Sequence, residues 1–75
     1  MELNAQHTMI DNLKAAQEAK ARVQVYLEGG ATLAGFVGDV GRGMLVLKAL
    51  TGRDFFDAII AIDAIAAFDV QTRTA

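Results

Sequence analysis

At 75 residues, with seven Lys or Arg against nine Asp or Glu, the chain is one small domain of formal net charge −2, which excludes a generally basic nucleic-acid binder. It has no Cys and a single His, which excludes disulfides, thiolate metal sites and His-based metal or catalytic clusters. Apolar residues make up 53% of it, more than so short a chain easily hides in one core, so a partner surface is expected to cover the excess.

In chain order, Met1 to His7 reads as a short flexible arm, residues 8–70 as the domain and residues 71–75 as a tail. The arm carries an early acid and no apolar stretch of a leader peptide. Thr8, with Asp11 three residues on, resembles a capping box and predicts a helix starting near Met9. Strong helix formers continue to about Ala21, and Ile10, Leu13 and Ala16 give the helix a narrow apolar stripe suited to lying on a sheet.

Alternation then takes over. Val23, Val25 and Leu27 share one face of a strand, and Gly29-Gly30 supplies a tight hairpin turn. A second strand, Thr32 to Val40, places Leu33, Gly35 and Val37 on one face, with Gly35 permitting a sharp bend. Gly38, Gly41 and Gly43 surround the next connection, a third strand is predicted over Met44 to Leu50, and Thr51 to Asp54 is a turn. The fourth strand is expected over Phe55 to Ile62, Asp63 marks a corner, and the fifth spans Ala64 to Val70.

The fold class is therefore mainly β: an N-terminal α-helix followed by five short, strongly bent antiparallel strands, of the size of a small SH3-type barrel. The last two strands are apolar on both faces, through Phe55, Phe56, Ile59, Ile60, Ile65 and Phe68. These six are expected at a subunit interface, because exposed apolar edges invite pairing with another chain. Strand 4 of one subunit against strand 5 of the next would make a head-to-tail contact that can close into a ring. The longest apolar stretch, Phe55 to Phe68, is interrupted by Asp57 and Asp63 and too short for a membrane span, so a cytoplasmic protein is expected.

The helix NLKAAQEAKA followed by Val23, Val25, Tyr26, Leu27, Gly30, Leu33, Gly35 and Val37, and then MLVLK, resembles the Sm-like (LSm) family, most of all its bacterial Hfq branch. The match runs from about Asn12 to Lys48 and rests on barrel-forming positions. It implies a barrel, a homo-oligomeric ring of about five to seven subunits and RNA binding or RNA chaperoning, without catalysis or cofactor.

The positions that read uridine in this family depart from its pattern. Gly41 and Leu45 stand at the aspartate and asparagine positions of Sm loops, and AIDAIAAF has no basic residue where a late Arg-Gly belongs. The aromatic and the Tyr-Lys-His triplet of the Hfq branch fall on Gly43 and on Ala61-Ile62-Asp63. The opposite face fares better. Tyr26, Gly30 and Leu33 match an adenine-stacking surface, although Thr32 replaces a lysine and Glu28 adds negative charge. Arg42, in a loop expected to face a pore, is a candidate phosphate contact. The basic patch on the helix is reduced to Gln17, Glu18 and Lys20, and the connection between strands 3 and 4 is longer than in the Hfq branch.

The bland readings stand beside these. A strand tyrosine is commonly a packing residue and a turn arginine commonly a solvated one. Gly38-x-x-Gly41-x-Gly43 lacks the following helix and Lys-Ser/Thr of a phosphate loop. Asp57 and Asp63 are read as partners for inter-subunit contacts with residues such as Arg53 or Arg22, and His7 has no nucleophile to serve. The alternative function is a ring that has lost RNA binding and acts as a protein-interaction scaffold.

Overall fold

The computed structural model describes residues 1–74. Helix α1 (Met9–Glu18) leads into five strands, β1 (Arg22–Leu27), β2 (Thr32–Val40), β3 (Met44–Lys48), β4 (Ala58–Ala61) and β5 (Ile65–Val70), with a single 3₁₀ turn, Ile62–Ala64, between the last two. They form one antiparallel sheet in the order β4-β3-β2-β1-β5. Consecutive strands pair as hairpins until β5, which crosses back to β1 and leaves β4 and β5 as the two edges. No helix among the described residues is long and apolar enough to cross a membrane.

The helix begins where its capping residue predicts. Thr8 Oγ1 accepts from the Asp11 amide at 3.0 Å, satisfying one of the first-turn donors that lack a partner inside the helix. The arm is tied back onto this turn, since Asn4 N donates to Asn12 Oδ1 and Asn12 Nδ2 donates to Asn4 O. The helix ends at Glu18 rather than near Ala21, because Lys20 adopts a positive φ of 54° that turns the chain into β1. Leu13 and Ala16 are buried beneath it, and Gln17 Nε2 reaches the Gly38 carbonyl at 3.1 Å.

Alternation puts Val23, Val25, Val37, Leu45 and Leu47 on the inner face with Leu13 and Ala16, and Leu50, Ile60 and Ile65 complete the buried core. The bend is built at β2. The pairing with β3 shifts between Val37 and Asp39, a bulge of the kind that increases local twist. At Gly35 an added Cβ would lie 2.6 Å from the Lys48 carbonyl oxygen, so glycine is there for a close backbone approach.

Two strand boundaries, at the connection of β3 to β4, also differ from the sequence reading. Strand β3 stops at Lys48 because Ala49 has a φ of 53°, and β4 starts only at Ala58. The nine residues between are a folded loop. Leu50 N donates to Phe56 O, Arg53 N to Leu50 O and Phe56 N to Arg53 O, which pulls Phe55 and Phe56 out of the ladder. Leu50 is only 4% exposed and anchors the loop in the core.

Candidate nucleic-acid interface

The outer face of the β1–β2 hairpin follows from its register. Arg22 lies opposite Phe36, Gln24 opposite Ala34 and Tyr26 opposite Thr32. Residues directly opposite in an antiparallel pair share a face. Tyr26 is half-buried, and its hydroxyl donates to Asp69 Oδ2 at 2.5 Å across the neighbouring β5. That hydrogen bond, with lesser help from desolvation and from the Asp69 charge, raises the tyrosine above its ordinary 10.0. The Tyr26 end of the face is therefore acidic, with Asp69 bound to the phenol and Glu28 exposed at the strand's end.

The three residues expected to form a stacking pocket are not brought together within one chain. Leu33 pairs with Val25, which places it on the inner face, packed against the core, while Tyr26 points outward. Gly30, with φ 95°, occupies the exposed turn and donates its amide to Leu27 O at 2.9 Å. Arg42 is exposed in the β2–β3 turn, closed by the Gly41 amide on Met44 O, at the opposite end of β2 from Tyr26. Tyr26 and Arg42 thus belong to separate surfaces.

The six interface candidates also divide. Phe55 is fully exposed, Phe56 is 52% and Ile59 70% exposed, and Phe68 is half-buried on edge strand β5. Ile60 and Ile65, at 5% and 7% exposure, are packed into the protomer's own core. Within the protomer, Asp57 Oδ1 accepts from the Ala49 amide at 3.1 Å.

The arginines are engaged elsewhere. The Arg22 guanidinium lies 4.5 Å from the Phe36 ring centroid, and its Nη1 donates to Thr51 Oγ1 at 2.7 Å and to Ala49 O at 3.3 Å. Arg53 lies 4.1 Å over the Phe56 ring. The long loop is fastened to the β3 side of β2, beyond the end of β3, by the Thr51 amide on Ala34 O, at 2.9 Å. Sequence reasoning missed this arrangement because Arg22 and Phe36 become neighbours only through strand register, and Thr51 and Arg53 only through the loop's fold. The one available signal was the pair Arg53 and Phe56, three residues apart within a turn.

No family model matches the sequence, and no curated protein matches it either. Among solved structures the chain is similar to a crystal structure of the pleiotropic translational regulator Hfq, at 16% identity and a TM-score of 0.73, over 93% of this chain and 100% of that one. An N-terminal helix and a bent five-stranded antiparallel sheet superimposing at that level over nearly the whole chain give it the Sm-like fold, related to that of Hfq and divergent from it in sequence.

Proposed function

We propose that the protein is a non-enzymatic Sm-like ring of about five to seven copies that binds single-stranded RNA on the outer face of its sheet, in the cytoplasm. The observation that carries this reading is the Sm-like fold itself, with β4 and β5 left as unpaired edges and the β1–β2 outer face open. Unpaired edges expose rows of backbone donors and acceptors. One edge of each copy pairing with the other edge of the next satisfies both, and Ile59 and Phe68 on those strands gain cover. The structural likeness to a translational regulator supports RNA as the ligand.

Fluorescence anisotropy with oligo-A, oligo-U and mixed RNA at two salt concentrations tests the binding. Saturable binding that weakens steeply with salt is expected, because each neutralised phosphate releases counterions, with a slope of about −0.7 per contact on single strands. Absence of binding at low salt refutes it. Native mass spectrometry tests the ring separately.

A second reading is a ring that binds protein instead of RNA. The fully exposed Phe55 favours it, since a bare aromatic at a loop tip suits a protein groove. An intact ring that binds none of the oligonucleotides selects this reading.

A further inference from the structure

The two edges of the sheet differ in charge. Edge strand β5 carries Asp69 on its outer face, opposite Gln24 of β1, and the carboxylate is exposed. Its Oδ2 takes the Tyr26 hydroxyl, which fixes the side chain on the strand, while its Oδ1 accepts no hydrogen bond among the described residues. The other edge, β4, is entered at Ala58 from the Ala49–Asp57 loop, whose one basic residue, Arg53, is exposed. The Arg53 backbone closes that loop through Leu50 O and the Phe56 amide, and the guanidinium lies over the Phe56 ring. Stacking occupies a face of the planar group, so the N–H donors on its rim remain for a carboxylate. Among the described residues the Arg53 side chain donates no hydrogen bond. Of the charged groups nearby, Asp57 is held by the Ala49 amide and Arg22 by Thr51 and the Ala49 carbonyl, so Asp54 is the one acid of the loop that competes for Arg53.

Resting on the ring reading, we infer that Arg53 of each copy docks on Asp69 of the next, so that the Ala49–Asp57 loop is a charged clasp across the subunit seam. All four pairings inside the sheet are antiparallel. Continued in the same sense across the seam, β4 of one copy runs against β5 of the next. The start of β4, with the loop before it, then lies beside the end of β5, where Asp69 precedes the last strand residue, Val70. Asp69 is held there between two donors, the phenol of its own protomer and the guanidinium of its neighbour. A single solvated ion pair adds little affinity. Opposite charges meeting at an interface do set register and choice of partner, because like charges brought together there are costly. The clasp repeats at every seam of the ring, which multiplies that discrimination.

The test is native mass spectrometry over a concentration series of the wild type, Arg53→Glu, Asp69→Lys, an equal mixture of those two variants, and Glu18→Lys, which makes a charge change on the exposed end of α1. Arg53 and Asp69 are exposed, so both single variants should keep the wild-type circular dichroism spectrum. Each puts like charges across every seam and should need about tenfold more protein to assemble, with a smaller gap at high salt. The mixture should recover most of the loss, since alternating copies face the new acid with the new lysine and Arg53 with Asp69. Glu18→Lys should assemble like the wild type. Should Asp69→Lys lose the wild-type spectrum, the neutral pair Arg53→Gln and Asp69→Asn replaces it, and their double variant should assemble no worse than either single one. Wild-type assembly in the single variants, a mixture no better than its components, or additive losses in the neutral pair overturns the clasp while the ring reading stands. A wild type that stays monomeric overturns both.

Discussion

Gly35 shows how a single hydrogen atom governs this fold. Its missing side chain lets β3 approach, and a methyl group there meets the Lys48 carbonyl oxygen at 2.6 Å, an atom held by the ladder. Gly35→Ala should therefore cost about 2–3 kcal/mol of overpacking, lowering the melting temperature by roughly 10–20 °C in a domain of this size. Gly38→Ala is the control. There the new Cβ meets Lys48 Cγ at 2.4 Å and Cδ at 2.5 Å, atoms near the base of a side chain that must rotate away but is not fixed in the ladder, so a smaller loss of about 1–2 kcal/mol is expected. At Tyr26, the chain's one tyrosine, ultraviolet titration reads a single group in the absence of tryptophan. The folded protein should show a midpoint above 10.0, and Asp69→Asn should bring it down. Since the folded state holds the neutral phenol, the stabilisation is present below the ordinary tyrosine value and lost as pH rises through the raised one. Gly35 was legible as a bend from its place in the alternation, whereas its contact with Lys48 needed the register; likewise nothing local marks Asp69 as the partner of Tyr26.

Elements were legible in proportion to how much of their signal is periodic. The strands β1 and β2 follow the alternation of Val23 to Val37 within a residue, and α1 starts at its cap. The Ala49–Asp57 loop was not legible, because Phe55 and Phe56 next to Ile59 and Ile60 look like strand by composition. What takes them out is a set of turn hydrogen bonds among Leu50, Arg53 and Phe56, together with a left-handed Ala49. Apolar content alone does not distinguish a bare loop tip from a buried strand. Leu50 is the loop's anchor, so Leu50→Ala should cost about 2–4 kcal/mol in denaturant unfolding and should loosen the Ala49–Asp57 loop with it. Local opening should then appear as faster amide exchange at Arg53 and Phe56, whose amides close the loop.

For the whole molecule, the exposed apolar residues argue for company. Met44 and Ile59 are more than half exposed on the outer face of β3 and β4, and β4 is an edge. Placing a charge there tests assembly with little cost to the protomer, since lysine on an edge strand opposes pairing with another chain. Ile59→Lys is expected to keep the wild-type circular dichroism spectrum and to appear as a monomer in native mass spectrometry at a concentration where the wild type is a ring. A ring that survives the charge would place the interface elsewhere.

The crossing of β5 back to β1 also bears on how the chain reaches this state. The β1–β2, β2–β3 and β3–β4 pairings join strands adjacent in sequence, whereas β5 must find β1 across the three strands between them. Closing so long a loop carries an entropic penalty that grows with about the logarithm of its length, and contacts distant in sequence slow folding. Of the four pairings, the docking of Ile65 to Val70 on Val23 to Leu27 therefore carries the largest closure cost.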